Sequence, residues 1–333
     1  MTLLWISFIV CTAAIVYSGT QLARYGDIIA EKTGMGGTWI GLVLMASVTS
    51  LPELVTGVSS VTLAGVPDIA AGDVIGSCVF NMLILSVLDV FCRQGPISSR
   101  AHRGHILSGS IGILLLSIVA ISLSAGRDLF PFGWIGPYTL LFGIIYFIAM
   151  RLIFSYEKRE IATYMKEVAV ELKYREYDAK TAYIHYGVNA VIVIAAAVFL
   201  PEIGKGIAEM TGLGQTFVGN IFIALSTSLP EVVVSISAVR MEAIDMAIGN
   251  LFGSNIFNIF ILALDDVFFV KGPLLSFVSH SNIVSAMSAV AMTAIAIIGL
   301  TYRSEKKPLF LAWDSIAIIG VYVSNVMLLY MMR

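Results

Sequence analysis

Along the chain, apolar side chains gather into about ten stretches close to the roughly 20 residues that a helix needs to cross a bilayer. Among them are Leu3–Val16, Ile106–Leu123, Ile135–Phe154, Ile283–Leu300 and Leu311–Met331. Composition points the same way, with 58% hydrophobic and 13% charged residues where soluble domains carry roughly 25% charged. A soluble fold of 333 residues could not cover so much apolar surface with so few charges. The expected fold class is an all-α polytopic membrane protein whose solvent is the lipid bilayer. A net charge of −2 leaves no basic face to neutralise phosphates, which excludes an ordinary nucleic-acid binder. Cys11, Cys78 and Cys92 lie in or at the edge of apolar segments, so neither a disulfide framework nor a zinc site is expected. The opening MTLLWISFIV has no basic region ahead of its apolar run, and it is read as a retained first helix rather than a cleaved signal.

The expected spans are approximately 3–25, 37–63, 68–92, 103–124, 132–154, 182–207, 215–240, 244–269, 280–301 and 310–331. With the N-terminus outside, 16 of the 20 Lys and Arg residues fall on the inner side and 4 on the outer. That asymmetry predicts a multi-pass protein of the cell membrane with both termini outside. The densely charged stretch EKREIATYMKEVAVELKYREYDAKT within 155–181 then becomes a cytoplasmic linker. Its acids and bases are nearly balanced and spaced as on a solvated helix, and it holds no calcium loop of the EF-hand type.

The chain also repeats itself. A shift of 178 lays residues 26–61 on 204–239 with 18 of 36 positions identical, and a shift of 177 lays 68–96 on 245–273 with 14 of 29 identical. Chance likeness between apolar helices matches Leu with Val, whereas these matches include Gly, Pro, Ser, Thr, Asn, Asp and Glu. Five spans separate equivalent points, so the second copy should sit upside down relative to the first. The expected organisation is two inverted five-helix repeats: 1–154, with its motif in 38–96, and 182–333, with its motif in 216–273. Such an arrangement is common in secondary transporters, with the site at mid-membrane between broken helices.

Polar residues cluster at matching places in the two copies. Thr49, Ser50, Pro52 and Glu53 reappear as Thr227, Ser228, Pro230 and Glu231. A proline inside a helix lacks the N–H of the ladder and clashes with the preceding turn, so carbonyls around Thr49 and Thr227 are freed as ligands. A carboxylate in hydrocarbon is costly unless it meets a cation or water, so Glu53 and Glu231 read as functional. Asp73, Ser77 and Asn81 are spaced by four and share one helix face, as do Asn250, Ser254 and Asn258. Gly76 and Gly253 precede the serines and would let helices approach closely. Asn250 in particular could serve instead as glue between helices. Every candidate ligand is oxygen, which suits hard cations such as Ca²⁺ or Na⁺ and argues against zinc or copper. No cofactor is expected.

These residues resemble the cation/Ca²⁺ exchangers of the prokaryotic sodium–calcium exchanger type. That family's two repeats look like GTSLPEL with GNxxGSNIFN, and this chain shows VTSLPEL with GDVIGSCVFN, then STSLPEV with GNLFGSNIFN. The resemblance implies that Glu53 and Glu231 are calcium carboxylates and that the Thr49 and Thr227 carbonyls complete the site. It implies that Ser50, Ser77, Ser228 and Ser254, with the carbonyls of Ala46 and Ala224, line flanking sodium sites. Alternating access by sliding of the first and sixth helices is implied too. Val48 and Ser226 stand where the family usually has Gly, Cys78 replaces an Asn, and Asp73 replaces the Asn of the second copy. Asn81 and Asn258 are both amides, where some members carry an Asp.

The expected function is therefore secondary antiport of Na⁺ against Ca²⁺ or a related divalent cation, by a protein that acts as a monomer and is not an enzyme. Within transport the alternative is H⁺/Ca²⁺ exchange, although serine hydroxyls in both copies favour sodium. An intramembrane hydrolase is disfavoured by the lack of HExxH and of a membrane-embedded His base. A channel is disfavoured because no ring of repeated loops is present. Asp89 and Asp266, with Asp265 adjacent, read either as vestibule attractors for cations or as ordinary interfacial acids.

Overall fold

The computed structural model describes residues 2–32, 48–92, 95–126, 131–164, 178–240, 242–304, 307 and 310–333. Among them every regular element is helical, and the only β-type pairing is an isolated bridge between Phe132 and Ile135. Ala46, the 38–47 part of the first motif and residues 165–177 of the linker lie outside the described residues.

The main helices are α1 (Thr2–Lys32), α2 (Leu51–Ala64), α3 (Pro67–Phe91), α4 (His105–Ala125), α5 (Pro137–Tyr164) and α6 (Ala179–Thr211). They are followed by α7 (Gln215–Thr227), α8 (Leu229–Arg240), α9 (Ile244–Phe268), α10 (Asn282–Tyr302) and α11 (Trp313–Met331). Seven of the described helices are long and apolar enough to cross a membrane, or eight if the bent pair α7 and α8 counts as one span. Two shorter apolar helices, α2 and the Pro137–Ile153 part of α5, accompany them.

The sequence predicts single kinked spans at both TSLPE motifs. The structure instead starts a new helix at each proline. Pro52 and Pro230 both occupy the first turn of a helix, α2 and α8, where the missing N–H would have had no helical partner anyway. Ser50 (φ −87°, ψ 13°) and Ser228 (φ −87°, ψ 2°) leave helical geometry in the same way. At Ser228 the axis turns by 45°. Tight turns then reverse the chain, and Gly65 between α2 and α3 adopts a left-handed φ of 65° that side chains resist.

The enclosed centre of the molecule is α3 packed against α9, with α7, α10 and α11 along α3 and with α4 and α5 along α9. Most of the buried apolar residues of these helices form one continuous core. A smaller core, containing Phe8, Ile15, Leu200, Ile207, Val218 and Ile223, lies where α1 and α6 run against each other. From that pair α1 also touches α8, and α6 touches α2.

Four aspartates tie the loops to the ends of the central helices. Asp68 accepts from the Ser279 backbone N–H (2.7 Å), and Asp245 from that of His102 (2.6 Å). Asp89 accepts from the N–H groups of Ile97 (2.8 Å) and Ala312 (2.6 Å), with the Lys307 ammonium 3.0 Å away. Asp266 accepts from the N–H groups of Leu274 (2.5 Å) and Gly136 (2.8 Å), from the Tyr138 hydroxyl (2.8 Å) and from Thr139. Asp89 and Asp266 are thus fully buried loop anchors and neither line a vestibule nor sit as simple interfacial acids. His105 is likewise drawn inward, its ring 3.0 Å from Asp245.

Gly76 makes the close approach that its position before Ser77 suggests. A Cβ there would lie 2.6 Å from Cα and 2.8 Å from the carbonyl carbon of Asn220 in α7. Both contacts are to backbone, which cannot swing aside. Gly76→Ala should therefore destabilise the protein by about 1–3 kcal/mol, seen as a lower midpoint of thermal unfolding in detergent. An unchanged midpoint would refute the contact.

Candidate functional site

The two helix breaks face each other across the enclosed centre. Ser50 Oγ, just before α2, donates to Glu231 Oε1 of α8 at 3.1 Å, and Ser228 Oγ, just before α8, donates to Glu53 Oε1 of α2 at 3.0 Å. Each serine thus holds the glutamate that follows the opposite break. All four side chains have 0% exposure. The second oxygens, Glu53 Oε2 and Glu231 Oε2, have no hydrogen-bond partner.

Around this crossed pair stand α3 and α9. Asp73, Ser77, Asn81, Asn250, Ser254 and Asn258 are all fully buried. Thr227 Oγ1 lies 2.8 Å from Asp73 Oδ1. Thr49, Ser50 and Ser254 approach Glu231, and the charges of Glu231 and Asp73 act on Glu53. The unpartnered buried atoms include Asp73 Oδ2, Asn81 Oδ1, Asn250 Oδ1, Ser77 Oγ and Ser254 Oγ, together with both polar side-chain atoms of Asn258. Buried polar groups in folded proteins are nearly always satisfied, and here several oxygens on α2, α3, α8 and α9 are left without a protein donor. Carboxylate oxygens are acceptors only, and amide oxygens accept. What would satisfy them is a cation or a donor.

Some expected ligands are already engaged. Asn81 donates its amide N–H to Asn255 Oδ1 (2.9 Å), and Asn250 donates to Ser235 Oγ (3.3 Å). These bonds join α3 to α9 and α9 to α8, the glue role, and leave only the amide oxygens free. The Ala224 carbonyl accepts from the Ser228 N–H at 3.1 Å, and the Thr227 hydroxyl oxygen stands 3.2 Å from it. Among the described residues no three carboxylate, His or Cys side chains converge into a metal cage, so Asp73 stands beside the glutamate pair rather than joining it in one cluster.

Asn255 is the residue that sequence reasoning missed. It stands where the first copy has Cys78, and the two meet: Asn255 Nδ2 donates to the Cys78 carbonyl at 3.3 Å, and Cys78 Sγ lies 3.8 Å from the Asn255 carbonyl oxygen. The shift of 177 held the signal, because it pairs Cys78 with Asn255, the two residues that touch.

Fold and site define a helical membrane protein whose buried acidic centre is assembled from two broken helices and the two most enclosed spans. The chain matches the family described as "Sodium/calcium exchanger protein" over residues 3–156 and 182–331, and it belongs to that family. The inner membrane protein YrbG of Escherichia coli (strain K12) is 27% identical over 249 residues, 74% of each chain. The sodium/calcium exchanger MaX1 of Methanosarcina acetivorans is 34% identical over 142 residues, 42% of this chain and 38% of that protein. Among solved structures, the sodium-calcium exchanger NCX_Mj soaked with 10 mM Na⁺ and 10 mM Sr²⁺ superposes with a TM-score of 0.62 at 21% identity, covering 98% of this chain and 99% of that one. At that identity the likeness is one of fold.

Proposed function

We propose that this protein is a secondary antiporter exchanging Na⁺ for Ca²⁺, or a related divalent cation, by alternating access. The observation that carries the reading is the crossed glutamate pair: two fully buried carboxylates, each with one oxygen held by the serine of the other break and one oxygen left for a ligand. Two negative charges balance one Ca²⁺ or two Na⁺. The names of relatives support the exchanged ions, since MaX1 and NCX_Mj are called sodium/calcium exchangers and CaxA of Alkalimonas amylolytica is a putative antiporter.

In this mechanism Glu53 and Glu231 hold the divalent ion, with the carbonyls of Thr49 and Thr227 completing its oxygen shell. Ser50, Ser77, Ser228 and Ser254, with the carbonyls of Ala46 and Ala224 and the amide oxygens of Asn81, Asn250 and Asn258, serve flanking monovalent ions. The abundance of hydroxyl and amide oxygens favours sodium over protons, because proton coupling needs no oxygen cage. Asp73 supplies a third negative charge next to Thr227, so the centre holds three monovalent ions, or a divalent ion plus a proton, without net charge. One chain carries the whole site and acts as a monomer.

Access alternates as α1 and α6 slide together over the broken helices. The separate small core between them, and the seat of Gly19 of α1 on the ring of Pro230, 3.1 Å from an ideal Cβ to Pro230 Cβ, suit such a movement. We read the chain as ten spans in two inverted halves, 1–154 and 182–333, joined by a cytoplasmic linker at 155–181. The eight described spans with the two shorter apolar helices support that number. The reciprocal bonds made by residues related through the shifts of 177 and 178 support the inversion.

In sealed vesicles, sodium-driven ⁴⁵Ca²⁺ uptake should be abolished by Glu53→Gln or Glu231→Gln while the protein stays folded, because either change leaves a divalent ion half-compensated in a low-dielectric site. Normal flux in either variant would refute the assignment, and uptake driven by a proton gradient without sodium would transfer it to proton coupling. Asp73→Asn should alter the charge moved per calcium. Unchanged electrogenicity would make that carboxylate structural. For the orientation, an impermeant thiol reagent on intact cells should label a cysteine placed at Arg333 and spare one at Tyr174. The reverse pattern would invert the topology.

A further inference from the structure

One turn beyond Glu53 on α2, Gly57 lies against Asp265 of α9. A Cβ on Gly57 would come within 2.6 Å of Asp265 Oδ1 and 2.8 Å of its Cγ, so the carboxylate occupies the space that a side chain would take. Asp265 is fully buried, and neither of its oxygens has a hydrogen-bond partner. Its neighbour Asp266 is saturated by loop donors. Among the described residues no Lys, Arg or His pairs with Asp265. The charges that act on it are those of Asp73 and Asp266, both negative.

The same stretch of α2 holds two further buried oxygens without partners, Thr56 Oγ1 and Ser60 Oγ. Residues three and four apart share a helix face. Glu53, Gly57 and Ser60 therefore form a stripe that begins at the crossed glutamate pair and passes Asp265, with Thr56 beside it. A carboxylate so enclosed is costly unless it is compensated, and the oxygens on this stretch of α2 are of the kind a hard cation takes.

The arrangement exists only once. The shift of 177 puts Leu88 at the place of Asp265, and the shift of 178 puts Val234, Ser235 and Ala238 at the places of Thr56, Gly57 and Ser60. In the second half the Ser235 hydroxyl already receives the Asn250 amide. Where the two halves otherwise mirror each other, this carboxylate stands on one side of the centre only, toward the face where α2 and α9 end.

We propose that Asp265, with the hydroxyls of Thr56 and Ser60, forms a further site for a hard monovalent cation, a way-station between the Glu53–Glu231 pair and that one face of the membrane. The proposal rests on the cation-exchange reading for the ion that enters, but its test does not need exchange to occur. Equilibrium binding of ²²Na⁺ to the purified protein, wild type against Asp265→Asn, should show one fewer ion bound per chain at saturation. In oriented vesicles the half-saturating Na⁺ concentration should rise about tenfold at one face and stay unchanged at the other, as expected for the loss of one charge-assisted contact. Gly57→Ala, which displaces the carboxylate while keeping its charge, should weaken Na⁺ at the same face. Equal capacity in wild type and Asp265→Asn, an equal effect at both faces, or a wild type that binds no Na⁺ would overturn the site. A wild type that binds Na⁺ but moves no Ca²⁺ would overturn the antiport reading and leave the Asp265 comparison to decide the site separately.

Discussion

Everything at the centre of this molecule depends on two carboxylates being kept where water cannot reach them. Burying an ionised glutamate costs several kcal/mol even after relaxation, and Glu53 and Glu231 are buried together. The structure offsets only part of that cost. A hydroxyl from the opposite break satisfies one oxygen of each, and the other is left open. Full satisfaction by protein donors would produce a stable polar core with no use for an ion. Half satisfaction positions the carboxylates and still leaves one oxygen of each without a protein donor.

The helix breaks are what make that geometry available. The Ser50 and Ser228 carbonyls open the new helices by accepting from the N–H groups of Leu54 (3.1 Å) and Val232 (3.3 Å), and the break lies in the serine backbone angles. Starting a fresh helix at Pro52 and Pro230 removes one donor where the ladder would close and turns the serine hydroxyls across the interface. Such breaks weaken their helices, and the compensation lies at the periphery. Asp68, Asp89, Asp245 and Asp266 hold the loops through backbone N–H groups, so α3 and α9 stay fixed while the broken helices supply the site. Acids on the same central helices thus divide into those saturated by loop donors and those, Asp73 and Asp265, with oxygens that no protein donor reaches.

Much of this was legible in the residues. Apolar length identified the seven or eight membrane-length helices among the described residues, and the paired TSLPE motifs marked where the chain leaves helical geometry and where both buried glutamates lie. Contacts between segments distant in the chain were less legible. The sequence could not show that Asn81 spends its amide on Asn255, that Thr227 turns its hydroxyl to Asp73, or that Asp89 and Asp266 face loop N–H groups rather than an aqueous entrance. Helical spacing gives the face on which a side chain lies and says nothing of what that face meets. The fixed shift between the copies could have supplied part of that answer, since it pairs Cys78 with Asn255 and these two residues meet.

The departures from that symmetry carry a consequence of their own. A transporter built from two inverted copies with identical ligands would present the same affinity to both sides, because each state facing one side would be the mirror of the state facing the other. In this chain the two repeated stretches differ at Asp73 against Asn250, at Cys78 against Asn255, and at Asp265 against Leu88. Two of these differences place an extra negative charge, Asp73 and Asp265, on opposite members of the α3 and α9 pair. An extra buried carboxylate raises the affinity for cations only in those states where its neighbourhood is open or filled, so it changes the relative free energies of the two facing states as well as the charge of the centre. A ligand shifts such an equilibrium only by its differential affinity for the two states. Under the exchange reading, the asymmetric acids rather than the shared glutamates would therefore set which side of the membrane binds its ions more tightly.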